Sequence, residues 1–392
     1  MFHHRALRTV IAATALVGLV ALGGPTVASV DSTSAAAPSQ RGPNNENYDP
    51  PMYTPTSRPV YDGTPANPLV REWGVYQGLA EMAWMPYVTA GAEQKALLDK
   101  IVQRPKATWF GHWQPDGDIT NRVRKYIELT TGGDPDVLVQ TSIFRMDPWE
   151  LEACKRLPTA AEQASYKQWV NRFAAAVGDA HAAIILQPDG PFALCAPQGS
   201  TLPSTLVAYA ARVLSAQPNT AVYIEAGAAD WPAPGRQGGV DSAVKILVRG
   251  GIAYARGFAL NGTHYSSTPN EVARGAAIIS ELEARGITGK KFVVNTSSNG
   301  HPFTFGSYTG TDPDNAFVCR SKTPPLTRTC VTLGIPPTGD VANPRWRMPA
   351  GTNQLAAQYV DAYLWFGRPW LYRQADPFVV SRALWLVRST PY

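Results

Sequence analysis

The chain has 392 residues, 44% of them hydrophobic, enough to bury one large core or two modest ones. Charged residues are only 17%, the formal net charge is +5, and no block of Lys and Arg exists, which argues against a nucleic-acid partner. The 11 Trp are mostly expected in the core, but any exposed ring offers a flat apolar face with a polar edge, suited to stacking on sugars.

At the start of the chain, Arg5 and Arg8 precede an apolar run from Val10 to Leu22, and Thr26-Val27-Ala28 supplies small residues for cleavage. Residues 1–28 therefore read as a secretory leader, with a membrane anchor as the alternative. The run is short for a membrane span and no other stretch is long enough. Without the leader's two arginines the charge becomes 5 − 2 = +3. Residues 29–60, rich in Ser, Pro, Asn and Thr, read as a solvated linker or extended arm. Residues 61–392 are expected to form a single domain, with globular composition from about Asn67.

Within that domain, apolar runs alternate with helical patterns. The strand candidates are Ala107–Phe110, Val137–Phe144, Ala182–Leu186, Thr220–Ile224, Gly257–Leu260, Phe292–Val294 and Ala362–Phe366. After Pro158, the residues Tyr166, Trp169, Val170, Phe173, Ala174 and Val177 follow helical spacing. Thr268-Pro269-Asn270-Glu271 reads as a capping box, and Gly286 closes that helix. Strands alternating with helices imply parallel pairing through right-handed crossovers. About seven such units predict an α/β fold with a parallel barrel, an open doubly wound sheet being the alternative.

Five of the strand candidates run into a polar tip. These tips are Arg145-Met146-Asp147, Gln187-Pro188-Asp189, Glu225-Ala226-Gly227, Asn261 with His264 and Tyr265 beyond it, and Asn295-Thr296-Ser297. In a barrel such tips converge on one face, and loops carrying Trp109, Trp149, Trp231 and Trp370 would ring it. Acids among indoles suit a carbohydrate site. Export implies paired cysteines, and four cysteines allow three connectivities. Cys154–Cys195 and Cys319–Cys330 are favoured because each pair flanks a candidate site loop; a four-cysteine metal site lacks any Cys-x-x-Cys spacing.

Other chemistries lack their signatures. There is no Gly-x-Ser-x-Gly elbow, no His-Glu-x-x-His, and no Gly-rich phosphate cradle after a strand, so neither a metal nor a cofactor is expected. Asp312-Pro313-Asp314 reads better as a surface turn than as part of a calcium loop. Asn261-Gly262-Thr263 and Asn295-Thr296-Ser297 fit the glycosylation pattern, but a place at the barrel mouth makes that the poorer reading.

From Asn67 to Pro369 the chain resembles glycoside hydrolase family six, the cellobiohydrolases and endoglucanases. The family's Glu-Pro-Asp appears as Gln187-Pro188-Asp189, and its Asp-Ala-Gly-His-x-x-Trp as Glu225 to Trp231. Arg256 to Asn261 resembles its Arg-Gly-Phe-x-x-Asn strand, and Asn295 to Gly300 its Asp-Thr-Ser-Arg-Asn-Gly. Tyr363 to Pro369 resembles its Leu-Trp-x-Lys-x-Pro segment, with Gly367 at the lysine position. The family's base loop is replaced by Pro369 to Asp376.

The resemblance implies a distorted, partly open barrel and inverting hydrolysis of a β-1,4-glucan by a secreted protein, expected as a monomer. Inversion needs a proton donor and a base that activates water. The resemblance makes Asp189 the donor, leaves Asp376 as the available base, and makes Asp147 the neighbour that shares the Asp189 proton; the alternative for Asp147 is an N-cap of the turn starting at Pro148. Glu225 is expected to orient solvent or a sugar hydroxyl, or else to pair with Arg256. Trp109 and Trp231 are the expected sugar platforms, with Trp370 beside them. Asn261, His264, Tyr265 and Asn295 are the expected hydroxyl partners, His264 having a structural role as its alternative. The second expectation is a binding protein on a decayed glycosidase frame.

Overall fold

The apolar runs become seven short strands that pair only with their neighbours in sequence, all parallel, in a computed structural model that describes residues 67–235, 237–307, 317–323 and 329–392. They are β1 (Thr108–Gly111), β2 (Val139–Phe144), β3 (Ala182–Leu186), β4 (Thr220–Glu225), β5 (Gly257–Leu260), β6 (Lys291–Asn295) and β7 (Val360–Leu364). The strand order follows the chain without reversal, so the sheet curls one way instead of being doubly wound. β1 and β7 form no ladder; Ala107 N–H donates to the Trp365 carbonyl at 2.8 Å, and the Trp109 indole N–H to the Phe366 carbonyl at 2.7 Å. The result is the expected partly open barrel with a bridged seam.

Each crossover contains a helix: Ile119–Thr131, Ala160–Val177, Leu202–Ser215, Gly239–Arg249, Thr268–Ala284 and Ala350–Tyr359. The strands are buried on both faces, which is why they lack polar alternation. Ile184 and Leu186 of β3 point outward to the helices, where Trp169, Val170 and Phe173 meet them in one cluster. Ala183 and Ile185 point inward. The interior is filled by small and large residues together: Ala183, Ala221, Ala259 and Ala362 leave room for Tyr223 and Phe366.

Helix ends follow local chemistry. The capping box sits at Thr159 and Glu162, where each side chain meets the other's backbone N–H. The box expected at Thr268 is corrected: Ser267 is the cap, its hydroxyl accepting from Asn270 N–H, and Glu271 is wholly buried, accepting from Ala229 N–H at 2.8 Å. Gly286 takes the left-handed conformation expected of it, at φ +78°. Both favoured disulfides are present, Cys154–Cys195 and Cys319–Cys330. The leader, the arm and the Asp312-Pro313-Asp314 turn lie outside the described residues.

One ion pair fastens the barrel. Arg256, just before β5, meets the Asp361 carboxylate of β7 with two hydrogen bonds at 2.8 and 2.9 Å. The Tyr223 hydroxyl donates to the same carboxylate at 2.7 Å, and the Asn67 amide to the Asp361 carbonyl. Asp361→Ala leaves a guanidinium and a buried hydroxyl without their acceptor, and is expected to cost about 3 kcal/mol. Asp361→Asn keeps an acceptor and is expected to cost less. Urea unfolding midpoints measure both; an unchanged midpoint for Asp361→Ala would remove the ion pair from the account.

Candidate active site

The loop after β3 is built to hold one carboxyl. Gln187 and Asp189 flank Pro188 and both take left-handed backbone angles, φ +56° and +63°. Non-glycine residues there are strained by about 1–3 kcal/mol each, and such strain clusters at functional sites. The Gln187 side chain accepts from Met146 N–H, and the Trp149 indole donates to the Pro188 carbonyl at 2.8 Å, so the loop is braced from below. Asp189 is only 9% exposed, and Thr263 Oγ1 donates to its Oδ1 at 2.7 Å.

The next residue, Gly190, explains the carboxyl's neighbourhood. A Cβ there would lie 2.0 Å from the Glu225 carbonyl oxygen, so only glycine fits. Its N–H donates to Glu225 Oε2 at 2.7 Å, while Gly227 N–H donates to Oε1 at 3.0 Å. Glu225 is 1% exposed. Burial, and then the Asp189 carboxylate beside it, push its carboxyl well above the usual range. The expected alternative, a pair with Arg256, does not form, because Arg256 is taken by Asp361.

Asp147 is a correction. Arg145 is anchored on Asp116 at 2.8 Å and on the Ser165 hydroxyl, and Met146 is core. The next side chain therefore points outward, and the Asp147 carboxylate, half exposed, pairs with Arg156 at 3.5 Å. Glu225 stands in the place beside Asp189 expected for Asp147.

Three expected hydroxyl partners are also corrected. Tyr265 is fully buried and stacks on Phe303. The Asn261 and Asn295 side chains are fully buried and serve the backbone. Asn261 Nδ2 donates to the Ser266 and Asn295 carbonyls, and Asn295 Nδ2 to the Asn261 carbonyl. Asn295 Oδ1 accepts from Phe366 and Gly367 N–H at 3.1 and 3.0 Å. The clamp ties β5, β6 and the chain leaving β7, and its burial excludes glycosylation of either asparagine.

On one side of the mouth, Trp231 and His264 stack on each other at 5.1 Å, and Phe305 covers the other side of the imidazole at 4.7 Å. His264 Nδ1 meets Asp230 Oδ1 at 2.8 Å, and Phe305 N–H donates to Asp230 Oδ2. Burial alone would raise the Asp230 carboxyl, but these hydrogen bonds hold it below the ordinary range. At the seam side lies a cavity of about 500 Å³ lined by Trp109, Trp113, Trp370, Arg368, Glu81 and Asp376. Trp370 is buried against Trp365, and the Arg368 guanidinium lies 4.4 Å over the Trp109 ring. The segment carrying Asp376 bulges, with Arg373 and Gln374 left-handed and Leu371 bridging back to Phe378.

A model of the glycosyl hydrolases family 6 matches residues 76–311. Endoglucanase A of Cellulomonas fimi is 31% identical over 231 residues, 58% of this chain and 47% of that protein. Endoglucanase 1 of Streptomyces halstedii is 32% identical over 216 residues, 53% and 62% of the two chains. The chain thus spans about half to two-thirds of the length of these curated relatives. The endoglucanase Cel6 from Mycobacterium tuberculosis, solved with a methyl-cellobiosyl thio-cellobioside, superposes with a TM-score of 0.61 at 23% identity, over 82% of this chain and 98% of that one. The catalytic core of the cellobiohydrolase Cel6A from Chaetomium thermophilum gives 0.59 at 16% identity, over 85% and 100%. At such identities the likeness is one of fold.

Two buried glutamates make stability depend on pH. Burial raises Glu271 from 4.5 to about 8, and raises Glu225 as well. Below pH 4.5 both are protonated folded or unfolded, and their contribution is fully present. As pH rises the unfolded chain releases these protons first, so stability falls through the window up to the folded pKa, by at most about 1.4 kcal/mol per pH unit for each group. Glu271→Gln keeps the acceptor for Ala229 N–H and is expected to flatten the fall in melting temperature between pH 5 and 8. A slope identical to that of the wild type would exclude Glu271 as its source.

Proposed function

The chain belongs to glycosyl hydrolases family 6, and we propose that it is an exported, inverting β-1,4-glucan hydrolase in which Asp189 is the proton donor. The observation that supports this most is the Asp189–Glu225 pair at the C-terminal ends of β3 and β4. Burial and the neighbouring Asp189 charge raise the Glu225 carboxyl, so a proton is held at this pair more tightly than by a lone exposed carboxyl. Glu225 is held by two backbone donors and lies out of reach of a sugar; Asp189, at the surface of the mouth, is the member that delivers the proton. Thr263 fixes the orientation of its carboxyl.

Asp376 is proposed as the base that activates water, because the bulged segment after Trp370 brings it to the wall of the aromatic cavity. Sugar rings would meet Trp109 and Trp113 there, and Trp231 on the other side of Asp189. The two disulfides fit an oxidising destination and so support export.

Asp189→Asn is expected to lower hydrolysis of soluble β-glucan at least 100-fold while leaving oligosaccharide binding in place, the scale of a lost general acid. Reducing-sugar release and calorimetric titration measure the two properties. Retention of more than about a hundredth of the wild-type rate would remove Asp189 from the role. Binding by the wild type without any product would favour a binding protein on the same frame. Proton NMR of the first product formed, as α-anomer or β-anomer, tests inversion.

A further inference from the structure

We propose that the cavity at the barrel seam recognises a sugar bearing a carboxylate, a glucuronosyl unit in a β-1,4-linked chain, through the guanidinium of Arg368; this rests on the hydrolase reading of the same mouth. Arg368 follows Gly367 at the end of the β7 segment, and its guanidinium carbon lies over the Trp109 ring, 4.4 Å from the centroid. Several cations tucked into this fold have carboxylates in ion-pair contact, Arg145 with Asp116, Arg256 with Asp361 and Lys106 with Glu81, while the buried Arg274 and Arg382 donate to the Pro232 and Pro369 carbonyls. Among the described residues no carboxylate lies within 4.0 Å of the Arg368 guanidinium, and its buried Nε has no hydrogen-bond partner.

A half-buried guanidinium whose Nε lacks a partner gains when an anion completes it. Burial lowers Arg368 to about 10 although Glu81 and Asp376 pull the other way, so those two carboxylates do not neutralise it. Glu81 already belongs to Lys106 at 3.4 Å. The planar fork of the guanidinium matches a carboxylate with two parallel hydrogen bonds. The cavity holds about 500 Å³, ample for a pyranose ring, and Trp113 presents a half-exposed indole at its wall.

The test is calorimetric titration of the full chain carrying Asp189→Asn, with cellotetraose and with cellotetraose oxidised to the carboxylate at C6. The expected result is at least about tenfold tighter binding of the carboxylated chain, with the preference shrinking as salt rises. Adding Arg368→Gln is expected to bring the ratio of the two affinities close to one. Arg368→Lys keeps the charge but not the fork and should give an intermediate ratio. Melting curves establish that each variant is folded. Equal affinities with Arg368 in place, or a preference that survives Arg368→Gln, would overturn the proposal and leave the hydrolase reading standing. Failure of both oligosaccharides to bind would take down the two together.

Discussion

The Glu225 carboxyl, accepting from Gly190 and Gly227 N–H, ties the loop after β3 to the loop after β4. Gly190 N–H could not come this near if a side chain stood there, because a Cβ would strike the Glu225 carbonyl. At Gly227, with φ +93°, a Cβ would meet the Trp231 carbonyl oxygen at 2.1 Å. Backbone packing at two glycines thus decides how near the glutamate and Asp189 stand. Their proximity, added to burial, is what lifts the Glu225 carboxyl above the ordinary range.

The rest of the mouth obeys the same economy. Strands that end inside a crowded barrel leave N–H and C=O groups that water cannot reach, and each must find a partner. Here the partners are the side chains at the tips themselves. Asn261 and Asn295 exchange amide hydrogen bonds with each other's backbone, and Thr296 Oγ1 donates to the Ile335 carbonyl at 2.6 Å. Polar residues at strand ends therefore divide into two groups. Some satisfy the scaffold and are buried completely; others are left at the surface of the mouth to meet a ligand.

That division was the part least legible in the sequence. All seven strands overlap the expected apolar runs, five of which end in polar tips, since burial on both faces writes itself into composition; the last begins two residues earlier than expected, at Val360. The helix Ala160–Val177 buries the very residues its spacing picked out. The disulfides followed from the loops they flank. What a linear reading could not supply was the direction of side chains beyond the last strand residue, where period-two alternation stops. Asp147 pointed the wrong way because Arg145 and Met146 are both anchored before it. Tyr265 joined the core through Phe303, 38 residues further along the chain but adjacent in space. The Thr268 cap failed because Ser267, one residue earlier, offers a better-placed hydroxyl, and because Glu271 is drawn inward to Ala229. The signal for Glu225 was available: a carboxylate ending β4 in register with Asp189's strand, followed by glycine.

The position of the cation at the seam follows from the asparagine clamp. Asn295 Oδ1 accepts from both Phe366 and Gly367 N–H, drawing the chain after β7 tightly against β6. At Gly367 a Cβ would stand 2.7 Å from both the Asn295 amide nitrogen and the Ser297 hydroxyl oxygen, so the lysine that the family resemblance would place there has no room. The first side chain free of the clamp is Arg368, which leaves the barrel mouth sideways and settles on Trp109. An asparagine at the tip of β6, chosen for its amide geometry, thereby sets where positive charge enters the cavity and which aromatic face it covers. Specificity at the seam is in this sense a consequence of how the neighbouring strand satisfies its backbone.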